Sequence, residues 1–423
     1  MKKNTSSFKK IAPLAGIIVW LTVISHCCGA QTLMDAYLAD TVHDERLESG
    51  SALVRETDFL KPSGSVFRDM EFRYSQDNFQ EDKQTYTVRV EPRGLKENSL
   101  ERRRHEGERH LYQNRNEMMF RKLLLSRYAT LIDGIFCQEI LSIKKEMVAV
   151  YRDRVIFLEE TMGSTVFEPK KYLEAYRQEN DLELEIASLR DTLTLLEDRV
   201  CSTLGKELQP CFNTRGLIPI ERIRRIRQDC LSIPIPENVN TRRADIEAGL
   251  ADIDYEKETS RSWINFIQVS WEHDNDNTTA ESLSMELGIP LPFSGSRDNA
   301  VITKKIQAKA GKSNQEVVMR EEKDKSCRVM DELLKRLNSY DRFYVMCDHR
   351  DEVATSAVVQ QVKTEDADVL LYLKLEKLEN RARLAEMAKA VYEAYIDMMD
   401  VLGRVSGEIP VNLLIGPGGA DLW

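Results

Sequence analysis

The sequence predicts a mainly α-helical chain with a small β part of the membrane-spanning kind, laid out twice. Three observations carry this: two hairpins that alternate apolar and polar residues, two very long stretches of helical character, and corresponding landmarks about 200 residues apart.

The second hairpin is the plainest. Trp263, Ile267, Val269 and Trp271 share one parity, with Gln268, Ser270 and Glu272 on the other; after a polar turn, Leu283, Met285, Leu287, Ile289, Leu291 and Phe293 alternate with Ser282, Ser284, Glu286 and Gly288. Period two puts the apolar set on one face of a sheet and the polar set on the other. A run of about 9–11 residues is also what a strand needs to cross a bilayer. The first hairpin repeats the pattern, with Met70, Phe72 and Tyr74 against Asp69, Glu71 and Arg73, then Tyr86, Val88 and Val90 against Thr85, Thr87 and Arg89. Both have polar tips, SQDNFQEDK and HDNDNTTA. A soluble hairpin packed on a helix would share the alternation, so the rest of the chain decides between the two.

Residues 1–30 read as an export signal: Lys2, Lys3, Lys9 and Lys10, an apolar run from Ile11 to Ile24, and small residues before Gln31. That run is too short to span as a helix, which takes about 20 apolar residues, and no later segment is apolar enough. Membrane residence therefore implies a barrel. Cys27 and Cys28 leave a lipid-modified amino terminus as an alternative, although His26 fits such a site poorly. Removing the signal takes away four lysines and no acids, moving the formal charge from -10 to −14. An acidic chain argues against a nucleic-acid partner. Cys137, Cys201, Cys211, Cys230, Cys327 and Cys347 remain; export permits disulfides, and Cys201 with Cys211 or Cys211 with Cys230 are close enough to consider.

After the first hairpin, Asn98 and Ser99 are expected as helix N-caps. From there to about residue 161 there is no proline and only Gly107 and Gly134 interrupt; Leu123, Leu124, Tyr128, Leu131, Ile135, Ile140, Ile143, Met147, Val150, Val155 and Leu158 recur at helical spacing. A helix of about 60 residues reaches on the order of 90 Å and calls for lateral partners in a coiled-coil-like array. Gly163 breaks it, and Pro169 suits the first turn of a returning helix. Leu173, Leu182, Ile186, Leu189, Leu193 and Leu196 mark the stripe of that helix, which fades near Gly205. Residues 209–237 form a connector with a basic run from Glu221 to Arg227, expected to be a solvated helical face rather than a nucleic-acid site.

Then the plan restarts. Pro92 and Pro290 or Pro292, Gly163 and Val362, and Gly205 and Gly403 are each about 200 residues apart. The expected organisation is a signal peptide (1–30), a first repeat (31–208: short helix, hairpin 66–92, long helix 98–161, return helix 168–207), an equatorial connector (209–237), a second repeat (238–404: short helix, hairpin 263–293, long helix 297–360, return helix 365–404) and a tail (405–423).

This order of elements, with SLSMELGIPLPFSGS following WINFIQVSW, resembles the TolC family of outer-membrane efflux proteins over nearly the whole mature chain. The resemblance implies a homotrimer whose twelve-stranded barrel lies in outer-membrane lipid and continues into a periplasmic α-helical tunnel. It also implies a periplasmic adaptor (membrane fusion) protein and an inner-membrane transporter as partners, so that the chain is the exit duct of an efflux or secretion system. Physical reasoning reaches part of this unaided: four strands cannot close a barrel, and an open edge is not tolerated in lipid, so copies must share one. The apolar parity then faces lipid, and Asp69, Glu71, Arg73, Arg89, Gln268, Glu272 and Glu286 line the lumen.

The turns at Gly163 and Val362 are the expected periplasmic tips. In the family these turns carry glycine before a short Asp-Leu-Leu-like start. Here Gly163 fits with Tyr172-Leu173-Glu174-Ala175 displaced, whereas Val362 stands where glycine is usual and Asp368-Val369-Leu370 follows. Asp366 and Asp368 form either a cation-binding ring at a constriction or carboxylates favouring a helix start. No serine, cysteine or carboxylate set suggests catalysis, and no cofactor motif is present. His105 and His110 are five apart, not the i, i+4 of a helical zinc pair. Gly416-Pro-Gly-Gly lacks the lysine of a phosphate loop and reads as flexible tail. A periplasmic coiled-coil scaffold or anchor without transport is the competing reading. It explains helices and signal, but not why both hairpins share alternation, length and polar tips.

Overall fold

The computed structural model describes residues 33–59, 64–76, 83–94, 96–163, 167–205, 212–214, 216–230, 240–260, 264–274, 282–289, 296–361, 367–405 and 412–415. The signal, Val362, Asp366, Cys211, Trp263, Leu291, Phe293, Gly416 and hence both considered disulfides lie outside them. The elements are helix α1 (residues 33–39), which runs into a 3-10 turn at Asp40–His43, α2 (Glu45–Phe59), β1 (Phe67–Gln76), β2 (Lys83–Pro92), α3 (Glu97–Glu160), α4 (Pro169–Leu204), α5 (Ile220–Cys230), α6 (Asn240–Ser260), β3 (Phe266–Asp274), β4 (Ser282–Gly288), α7 (Ser296–Gln361) and α8 (Ala367–Val401). No described helix is long and apolar enough to cross a membrane.

The chain divides into two compact units, the boundary cutting α3 after Met118 and α7 after Glu322. The unit holding α1, the later parts of α3 and α7, α4, α5 and α8 is built on a large hydrophobic core, with a smaller one where α3 meets α4. Its α3 face buries Leu124, Tyr128, Leu131, Ile135, Ile143 and Val150, each three, four or seven or more residues from the next along the helical stripe. Ion pairs fix its neighbours: Lys144 to Glu185 (2.8 Å) and Arg152 to Glu179 and Glu183 (3.1 and 2.9 Å) on α4, and Lys389 to Asp133 (2.6 Å) and Arg381 to Glu146 (3.0 Å) on α8. These lie at the surface and set register more than stability. Pro169 opens α4 where its missing N–H costs nothing, and Gly205 closes it at φ 60°, the left-handed conformation a C-cap requires.

The connector folds into this core. Ile220, Ile223 and Ile226 are buried, and so is Arg227, whose Nε donates to the Met330 carbonyl (3.2 Å), while Arg224 pairs with Asp341. The basic run is therefore not one solvated face: the threefold isoleucine spacing docks α5 and carries Arg227 inward. Phe212 is received at Gly134, where a Cβ would come within 2.6 Å of its ring. Part of the expected tail is pinned here too. Leu217 bridges to Ile415, the Ile218 N–H donates to the Leu414 carbonyl (2.8 Å), and Leu413 and Leu414 are buried. Tyr392 donates to the Ile218 carbonyl (2.5 Å), and burial pushes the Tyr128 hydroxyl up to about 12.

The other unit holds α2, α6, the early parts of α3 and α7, and both hairpins. The hairpins join as one antiparallel sheet in the order β1-β2-β3-β4. At its base, Glu97, whose side chain is 1% exposed, accepts two bonds from the Arg68 guanidinium (3.1 and 3.0 Å) and one from the Gly94 N–H (3.0 Å). That carboxylate starts α3. Asn98 and Ser99 thus sit inside the first turn rather than capping it; Asn98 binds the Ser65 carbonyl and Arg93 instead. Gly107 faces α6, where a Cβ would meet the Ala248 Cα at 3.0 Å.

Candidate functional site

Pairing across the sheet sorts its side chains into rows. On one face Met70, Val90, Ile267 and Leu287 form the row nearest the α3 start; Phe72, Val88, Val269 and Met285 form the next; Tyr74, Tyr86, Trp271 and Leu283 form the third. Twelve positions on four strands are all apolar or aromatic. They are not packed away: Leu283 is 75% exposed, Met285 72% and Phe72 64%. An apolar surface this continuous on a lone soluble chain is a liability, and it marks contact with lipid or protein.

The opposite face is wholly different. Glu71, Arg89, Gln268 and Glu286 form one row, Arg73, Thr87, Ser270 and Ser284 the next, and Ser75, Thr85, Glu272 and Ser282 a third, with Asp69 opposite Glu91 at the base. The seven residues singled out in the sequence, Asp69, Glu71, Arg73, Arg89, Gln268, Glu272 and Glu286, lie on this one face. Glu91 and the hydroxyl row join them; period two implied their side, but not their alignment across strands. Arg73 donates to both oxygens of Glu71 (2.7 and 2.9 Å), Thr87 and Ser270 share a hydrogen bond (3.2 Å), and Ser282 donates to Glu272 (3.1 Å). The Arg89 guanidinium lies 4.0 Å from the centre of the Phe266 ring and 3.7 Å from Glu91. Phe266 occupies this polar face because Gly288 leaves it room; a Cβ there would fall within 2.4 Å.

Among the described residues β1 and β4 each pair on one side only, so the sheet ends in two open edges. An open edge in hydrocarbon leaves N–H and C=O groups that nothing there can satisfy, each at a cost of several kcal/mol.

The turn after α3 is the second candidate region. Gly163 takes φ 91°, which a side chain would strain. Val155, Leu158 and Ala175 make a small core of their own, flanked by Phe157 and Tyr172, and the Tyr172 hydroxyl donates to Glu159 (3.0 Å). Asp368, in the first turn of α8, is held by the Arg154 guanidinium of α3 at 2.6 Å, and that guanidinium also faces the Tyr372 ring at 5.8 Å. Its charge is thus compensated inside the chain. Leu173 is not on the core stripe: it is 64% exposed, and Leu184 (71%) and Leu195 (70%) follow at intervals of eleven residues. Eleven residues close three helical turns almost exactly in phase, so these leucines form a single exposed line on α4.

Among the described residues no group of three or more histidines, cysteines or acids is placed to hold a metal ion.

No family model matches the sequence, and no curated protein does. Solved structures match in fold. The outer-membrane channel OprN matches with a TM-score of 0.67 at 14% identity, over 88% of this chain and 90% of that one. The outer membrane protein VceC of Vibrio cholerae gives 0.62 at 12%, over 88% and 96%. The open state of the Neisseria gonorrhoeae MtrE outer membrane channel gives 0.60 at 11%, over 88% of each. The chain has the fold of these channels: mainly helical, with a small antiparallel β part.

Proposed function

We propose that the chain is one of three copies forming an exit duct through the outer membrane, in an efflux or secretion system. The observation that carries this is the sheet: four strands with one continuous, exposed apolar face, one polar face and two open edges. Three copies give twelve strands, a barrel wide enough for a wet interior. Joining β4 of one copy to β1 of the next removes every edge. The twelve apolar positions then meet lipid, and Asp69, Glu71, Arg73, Arg89, Gln268, Glu272 and Glu286 line water.

The likeness in fold to outer-membrane channels supports the same reading. The long helices of the two repeats, 31–208 and 238–404, supply the periplasmic tunnel around the connector 209–237. Their turns at Gly163 and Val362, with Asp366 and Asp368, form the entrance that meets a periplasmic adaptor and an inner-membrane transporter. The exposed leucine line on α4 is covered by a neighbouring copy. No catalytic step is needed; the duct works by geometry.

Reconstitution into planar bilayers tests this. Discrete single-channel conductance, in material that resists carbonate extraction from outer membranes, is the expected result. Protein that washes off with carbonate and conducts nothing is a scaffold, and the reading fails. In the same assay an Asp366→Asn, Asp368→Asn double variant tests the cation ring; block by multivalent cations that matches wild type removes that role. The Arg154 pairing leads us to expect little change from Asp368 alone.

A further inference from the structure

Two helices of the unit around the large core carry exposed apolar lines of the same period. Leu184 and Leu195 belong to the line on α4; on α7, Leu334 (36% exposed) and Val345 (64%) are also eleven residues apart and so in phase. Polar contacts link α4 to α3, α3 to α8 and α8 to α7, which puts α4 and α7 at the two ends of the series. The same contacts fix heights. Glu185 of α4 meets Lys144 of α3 (2.8 Å), and Glu146 of α3 meets Arg381 of α8 (3.0 Å), so Leu184 and Arg381 stand at one level. Arg336 of α7 donates to the Ala390 carbonyl of α8 (2.7 Å). These consecutive helices touch at residues 54 positions apart, so they run antiparallel. Val345 lies as far along α7 from Arg336 as Arg381 lies back along α8 from Ala390. Val345 is therefore level with Leu184, to within about one helical turn. Because α4 and α7 run in opposite directions, Leu334 is level with Leu195 by the same rule, about 16 Å away along the axis.

Between the two levels the lines differ in charge. On α4 the exposed residues there are Ala187, Ser188 and Asp191. On α7 the line is flanked by Lys335 and Arg342, both exposed, while Asp341 within it is already paired with Arg224 of α5. An acid that approaches this part of α7 meets net positive charge. We propose that the α4 line of one copy seats on the α7 line of the next, Leu184 against Val345 and Leu195 against Leu334, with Asp191 between Lys335 and Arg342. A contact between unlike faces closes into a ring only when no axial rise separates the copies, and otherwise winds into a filament. Equal heights supply that condition. A second copy is the occupant because the two lines match each other in period, height and charge. The inference rests on the reading of a ring of copies, and adds to it which face meets which.

Cross-linking reads this register. In a chain whose cysteines after residue 30 are replaced by alanine, Leu184→Cys is combined with Val345→Cys, and Leu195→Cys with Leu334→Cys. Membranes holding each variant are treated with a short bismaleimide whose span is less than the rise between the two levels. Where that background does not assemble, the pairs go into the chain with its own cysteines, whose band pattern is then the blank. Each matched pair is expected to shift most of the chain from the one-protomer band to two- and three-protomer bands. The crossed pair, Leu184→Cys with Leu334→Cys, is expected to leave it at one. Equal linking by the crossed pair overturns the register, and linking by Leu184→Cys alone, which takes a two-fold contact, overturns the pairing of unlike faces. A particle of three protomers in which neither matched pair links overturns the inference and leaves the duct standing. A parent chain that is a monomer in detergent takes both readings down.

Discussion

Glu97 shows how one side chain sets the start of an element. Burial alone raises a carboxyl's pKa, but the bonds from Arg68 and the Gly94 N–H outweigh it and hold Glu97 below its usual range. A folded-state value below the unfolded one means that the contribution is present above the unfolded pKa and is lost as pH falls through the folded value. Glu97→Gln should therefore cost roughly 1.5–3 kcal/mol at neutral pH. In thermal unfolding followed by circular dichroism, that gap to wild type should close in acid. A gap that is the same in acid and at neutrality contradicts the linkage. The cap was not legible beforehand, because Asn98 and Ser99 are the better cap residues by type. What decides is Arg68, which is 29 positions away and meets Glu97 only once the hairpin has formed. The two faces of the sheet give the other residue-level test. Val269→Arg places a charge in the middle apolar row and should cost about 2–4 kcal/mol in lipid. Thr87→Arg, on the polar face, should cost little. Heat-resistant assembly on gels reads both, and equal effects would mean that the faces are not differently solvated.

At the scale of elements, α3 is readable as a helix throughout, yet its two glycines are not readable as anything but flaws. Each marks a close approach: Gly107 to α6 and Gly134 to Phe212. Alanine should gain helix propensity at position 134, about 1 kcal/mol, but the Phe212 ring would have to move, and overpacking typically costs about 1–3 kcal/mol. We expect Gly134→Ala to destabilise, and Phe212→Ala in the same chain to cancel the steric part. Additive losses in the double variant would refute the contact. The strands were legible because parity admits no drift: one slipped residue would exchange the faces. Pairing of β2 with β3 was not, since it joins segments some 180 positions apart with no local signal. Arg154 as the partner of Asp368 was hidden for the same reason. Leu173 exposes a further limit. An apolar stripe says that a helix face must be covered, not whether its own chain covers it.

For the whole molecule, that uncovered surface is what has to be accounted for. The leucine line of α4 and the apolar face of the sheet lie in different units, and neither finds a partner within the described chain. On the proposed reading a second copy covers the leucine line and a bilayer the apolar face of the sheet. Leu184→Glu with Leu195→Glu should leave the protomer fold intact, since both side chains are already in solvent, while weakening assembly. Helical content unchanged by circular dichroism together with loss of the assembled band is the expected pair of results. Assembly as robust as wild type would show that the line is not an interface.

The most direct measurement is the protein mass of the purified particle in detergent, by light scattering corrected for bound detergent. In lipid, four strands with two open edges would need copies that close on each other, and the proposed function predicts a single species of three protomers. A stable monomer, or a particle soluble without detergent, would contradict it.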